Sequence, residues 1–93
     1  MTRSDRITET LTRTFAPLSL DVVDDSGSHA GHSGAAVGGE THFNVIMAAE
    51  CFEGMTRVAR ARAVNDALAD EFAAGLHALA LTLRTPAERA KTL

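Results

Sequence analysis

The chain has 93 residues, 45% of them hydrophobic, and a formal net charge of −3. That suffices for one domain with one modest core. No apolar run reaches the roughly 20 residues of a membrane-spanning helix, so no membrane partner is expected. The negative balance argues against strong nonspecific attraction to nucleic acid, while leaving room for a local basic patch.

A single cysteine, Cys51, excludes an internal disulfide and a cysteine-only metal cage. The opening residues carry Arg3, Asp5, Arg6, Glu9 and Arg13 and lack the apolar centre of a secretory signal. The expected location is therefore the cytoplasm.

Ser4 or Asp5 can cap a first helix, whose Ile7, Leu11 and Phe15 fall at four-residue steps on one face. Pro17 ends it, because the residue before a proline is pushed out of the α region. Leu18, Leu20 and Val22 then alternate with Ser19, Asp21 and Val23, and Phe43, Val45 and Met47 alternate with His42, Asn44 and Ile46. Both are strand patterns, and two strands joined by one loop most simply pair antiparallel.

The loop between them, Asp24 to His42, holds His29, His32 and His42, three of the four histidines. Structureless loops beyond about 12–15 residues are uncommon and usually functional or disordered. This one reads as a long flexible segment. His42 is expected at a strand edge, facing solvent or a neighbouring carboxylate.

Residues 49–56 form a short irregular link, in which Cys51 reads as a small buried hydrophobe. From Thr56 to Ala74, Val58, Ala61, Asn65 or Val64, Leu68 and Phe72 track one face of the longest helix, with Gly75 as its stop. Arg57, Arg60 and Arg62 fall in its first two turns. They form either a solvated face pairing with Glu53 and Asp66 or a patch for nucleic-acid phosphates. His77 opens a third strand with Leu79, Leu81 and Leu83 on one face. Thr85, Pro86 and Glu88 then make a capping box that starts a final helix.

The order α-β-β-α-β-α predicts a single α+β domain over 1–93. A three-stranded mixed sheet is covered by helices, because the long helix provides the crossover to the third strand.

The sequence lacks a phosphate loop in strand-to-helix context, a Gly-x-Ser-x-Gly nucleophile turn and a His-Glu-x-x-His helix. Its carboxylates are scattered, with no obvious buried pair for acid–base work. An enzyme is not expected. Metal ligation is the better reading, since neutral imidazole is the usual nitrogen ligand for iron, copper and zinc. The candidates are His29 and His32 in the loop and His77 at the strand start.

Several stretches in order carry a resemblance. They are Leu20-x-Val22-x-Asp24-x-Ser26-x-x-His29, Gly39-Glu40-Thr41-His42-Phe43-x-Val45, Phe52-Glu53-Gly54 and Arg60-x-Arg62. Leu68-x-x-Glu71, His77-Ala78-Leu79 and Thr85-Pro86-x-Glu88 complete the set. Together they resemble the BolA family over nearly the whole chain. Two positions depart from its pattern. Ala61 stands where the family has a histidine between two arginines, and Arg89 stands where a tryptophan is usual.

The resemblance implies a fold similar to the class II KH domain. It also implies partnership with a monothiol glutaredoxin of the CGFS type, with which a 2Fe–2S cluster is shared. The glutaredoxin cysteine and a glutathione thiol would ligate one side. His77 of the His-Ala-Leu motif and a loop histidine, His29 or its neighbour His32, would ligate the other. Alone, the protein is expected to be a monomer or weak homodimer. The alternative implied by the family is DNA-binding transcriptional regulation through the KH-like surface and Arg57, Arg60 and Arg62.

Overall fold

The structure, a computed structural model, describes residues 1–25 and 40–91. Helix α1 spans Arg3–Phe15 and strands β1 and β2 span Ser19–Asp24 and His42–Ala48. A 3-10 turn at Glu50–Phe52 leads to helices α2 (Arg57–Ala67) and α3 (Ala69–Ala73). Strand β3 (Ala78–Arg84) and helix α4 (Pro86–Lys91) complete the chain. No helix among the described residues is long and apolar enough to cross a membrane.

The sheet has the order β1-β2-β3, with β1 antiparallel and β3 parallel to β2. It is the expected mixed sheet. Register puts Leu20, Met47 and Leu83 in one row, and Val22, Val45 and Leu81 in the next. Since side chains alternate along a strand, these rows share one face. That face closes on Ile7 and Leu11 of α1, Phe52, Val64 of α2, and Leu68, which together form the core. On the other face Val23 and Ile46 remain exposed, so the helices do not enclose the sheet from both sides.

Helix α1 starts nearly one turn earlier than the sequence suggests. Thr2, not Ser4 or Asp5, is the cap, and Asp5 accepts a bond from the Thr2 amide in a reciprocal capping box. Ahead of Pro17, Ala16 closes the helix in the left-handed region at φ 45°.

The expected long helix is broken at Leu68, which lies between α2 and α3. Leu68 stays buried at the break, so the helical pattern is interrupted without surrendering its core anchor. Val58, assigned to the inward face by the sequence, is 59% exposed, and Arg60 takes the buried place instead. Cys51 is exposed rather than buried, with its Sγ 3.7 Å from the Phe15 carbonyl oxygen.

The Thr85 capping box forms as the sequence predicts. The Thr85 amide donates to Glu88 Oε1 at 2.8 Å, and the Glu88 amide donates to Thr85 Oγ1 at 3.1 Å. Arg60 Nη1 donates to the same Glu88 oxygen at 2.6 Å. Arg60, aided by the Thr85 amide, pulls the Glu88 carboxyl from its ordinary 4.5 down to about 2.

A depressed carboxylate pKa stabilises the fold above the ordinary value, and that contribution is lost as pH falls through the folded value. The attachment of α4 should therefore weaken between pH 4.5 and about 2. The Thr85 amide proton shift, followed by NMR, should titrate with a midpoint near 2. A midpoint near 4.5 would mean that these contacts do not form in solution.

Candidate metal centre

His77 is presented by a short turn with a defined hydrogen-bond pattern. Helix α3 ends with the Gly75 amide donating to the Phe72 carbonyl at 3.3 Å and the Leu76 amide to the Glu71 carbonyl at 2.9 Å. Gly75 has φ +118°. This is the 6→1 and 5→2 pattern of a Schellman stop, which needs a left-handed residue and places an apolar one next. Leu76 fills that role and is buried. The next residue is His77, exposed, whose amide donates to the Thr41 carbonyl at 2.8 Å. The Ala78 amide shares that carbonyl at 3.1 Å. The backbone of His77 is thus fixed on both sides while its ring faces outward.

The base of the long loop is held next to this turn. Arg3 donates from its backbone amide to Glu40 Oε1 at 2.7 Å and from Nη1 to the Glu40 carbonyl. Its Nη2 reaches the Ala74 carbonyl at 2.8 Å, and its Nε pairs with Glu71 at 3.1 Å. One side chain therefore ties the returning end of the loop to the turn that carries His77. Arg6 pairs with Glu71 from the same helix at 2.9 Å. Arg6 chiefly, and Arg3 behind it, hold the Glu71 carboxyl below the usual carboxylate range against the opposing effect of burial. The Glu40 amide donates to Asp24 Oδ2 at 3.2 Å, joining the two strands where the loop leaves and returns.

His42 does not stand apart at a strand edge. Its Nδ1 lies 2.9 Å from Thr41 Oγ1, and its ring meets the His77 ring at a centroid distance of 5.8 Å and an interplanar angle of 77°. Two of the four histidines are thus brought together by the parallel pairing of β2 and β3. The sequence could not show this, because the two residues are far apart along the chain and the register decides their meeting. His29 and His32 lie outside the described residues. Among the described residues, no group of three or more His, Cys, Asp or Glu could hold a metal ion.

The arginine patch does not form as a unit. Arg60 is 7% exposed. Its Nε donates to the Met55 carbonyl at 3.1 Å and its Nη1 to the Leu83 carbonyl at 3.3 Å, while the fork grips Glu88. Its guanidinium also lies 5.7 Å from the centre of the Phe52 ring. Arg60 is four residues before Val64, on the buried side of α2, so it links α2, β3 and α4 and is not presented to a phosphate. Its alignment with Val64 and Leu68 at four-residue steps was the available signal. Arg57 lines a cleft of about 520 Å³ with Arg84, Glu88 and Lys91. Arg62 is exposed and does not line it.

Residues 11–88 match the family described as BolA-like protein. The SufE-like protein 1 of Arabidopsis thaliana is 43% identical over 90 residues, covering 92% of this chain but 24% of that protein. BolA-like protein 1 of Mus musculus is 40% identical over 78 residues, covering 84% of this chain and 54% of that one. The chain therefore spans a minor part of the first relative and about half of the second. The solved BolA1 structure from Arabidopsis thaliana superposes with a TM-score of 0.84 at 41% identity, over 95% of this chain and 96% of that one. With the motif order, the mixed-sheet topology and these likenesses in agreement, the chain belongs to the BolA family.

Proposed function

We propose that this chain is a non-enzymatic partner of a monothiol glutaredoxin of the CGFS type and co-ligates a 2Fe–2S cluster with it, for cluster trafficking or iron sensing in the cytoplasm. The carrying observation is the presentation of His77: an exposed imidazole on a backbone held by a helix stop and by the Thr41 carbonyl. Such a residue offers a ligand at a fixed place, as a shared metal centre needs. The donor set suits the group, since imidazole is a known replacement for thiolate on one iron of such clusters. His29 or His32 would supply the second imidazole. The glutaredoxin cysteine and glutathione would supply the thiolates. When bound, a cluster with imidazole on one iron is less negative and has a higher potential than an all-thiolate one.

DNA binding through Arg57, Arg60 and Arg62 is the weaker reading, because the middle arginine is buried in an ion pair.

Purified alone, the protein should be colourless, since two imidazoles leave the remaining ligand positions of the cluster unmet. Anaerobic reconstitution with glutaredoxin and glutathione should give a coloured heterodimer, read by visible absorbance and circular dichroism. A stoichiometric cluster in the isolated chain would overturn the shared-ligand reading.

A further inference from the structure

We propose that His42 and His77 form a two-imidazole site for a single divalent transition-metal ion such as Zn²⁺, available in the isolated protein. The observation is their juxtaposition. Adjacent parallel strands put two histidine rings 5.8 Å apart, each on a backbone that the fold holds in place.

With metal–nitrogen bonds of about 2.0–2.1 Å, two imidazoles on one tetrahedral ion have ring centres roughly 5.2 Å apart. The observed separation differs from that by about half an ångström, which small side-chain rotations supply without backbone movement. His42 anchors the strand start of β2, and the His77 amide is bonded to the Thr41 carbonyl at 2.8 Å, so neither backbone must be reorganised on binding. Thr41 contributes a second element. Its hydroxyl meets His42 Nδ1 at 2.9 Å, and the residue is only 8% exposed. A partner on one ring nitrogen sets the tautomer and leaves metal ligation to the other, here Nε2. Thr41 is thereby a positioning residue. The remaining two positions of a tetrahedral ion would be filled by water, one more than in an open site with three protein ligands.

This site is separate from the cluster reading. It uses His42 in place of a loop histidine, and it requires neither glutaredoxin nor glutathione. The two readings share only His77.

The test is calorimetric titration of the full chain with Zn²⁺ alone, together with NMR of the histidine ring nitrogens. One ion per chain is expected, with both His42 and His77 ring signals moving. His42→Ala and His77→Ala should each weaken binding by more than the roughly 10–100-fold that loss of an outer-shell partner costs. Thr41→Val, which keeps the side-chain shape, should weaken it by about tenfold. The double variant His29→Ala/His32→Ala should bind as the unaltered chain does. Circular dichroism of each variant checks that the fold persists, and the ring-nitrogen shifts of the unaltered chain give an answer that needs no variant. Zinc that moves only His77, or affinity retained in His42→Ala or abolished in the loop double variant, would overturn the site. Cluster formation with glutaredoxin is read separately, so either reading can fail while the other stands.

Discussion

His77→Ala should abolish the cluster that we propose is shared with glutaredoxin, leaving no visible absorbance or circular dichroism after reconstitution. His29→Ala and His32→Ala should each retain some cluster with altered spectra, and the double variant should be worse than either. The asymmetry has a structural basis at the His77 end. The ring is carried on a backbone clamped by the Schellman stop before it and the Thr41 carbonyl beside it. His77 is the one histidine carried by that turn, and the adjacent His42 ring rises from a different strand. If a loop histidine supplies the second ligand, two of them three positions apart would, by contrast, substitute for one another. The proposed heterodimer without metal should survive all of these changes, because protein contacts rather than metal would then hold the pair. A cluster spectrum from His77→Ala like that of the unaltered pair would sink the assignment.

Arg60→Ala should lose about 2–4 kcal/mol of folding stability, while Arg62→Ala should stay within about 0.5 kcal/mol. The two are one helical half-turn apart and identical as letters, yet they live in different environments. Arg60 satisfies two carbonyls, Met55 and Leu83, and grips Glu88 while covering the Phe52 ring. Its removal leaves carbonyls without their donor and opens the junction of α2, β3 and α4. Arg62 is exposed, where single substitutions cost little. Urea unfolding of the two variants checks the contrast, and equal effects would refute it. The same pair separates stability from DNA binding. If Arg62 or Arg57 neutralises a phosphate, replacing it by alanine should lower the log–log salt slope by about 0.9. Any weakening of DNA affinity in Arg60→Ala would instead follow its smaller fraction of folded protein.

Local periodicity and local chemistry were legible before any fold was known. Alternation at Leu18–Val23 and Phe43–Met47 marked β1 and β2, and Thr85-Pro86-x-Glu88 marked the last helix start through a bond made within one turn. Gly75 marked a helix stop, because a left-handed residue there is a backbone requirement written in a single letter. The element order with its helical crossover carried the mixed sheet, and the ordered motifs carried the family.

Whatever depends on register and on long-range partners came from the folded chain. The break at Leu68 is invisible to a helical pattern that continues through it. Arg60 reads as one of three surface arginines until β3 and α4 supply the carbonyl and carboxylate that bury it. In the sequence Arg3 is one charged residue among several near the chain start, but folding joins it to Glu40, Glu71 and Ala74. His42 and His77 meet only because β2 and β3 run parallel in a register that pairs His42 with Ala78. A residue's own letter and its near neighbours set which chemistry it can offer. The partner that completes that chemistry comes from distant segments, whose approach is fixed by the packing of the whole core.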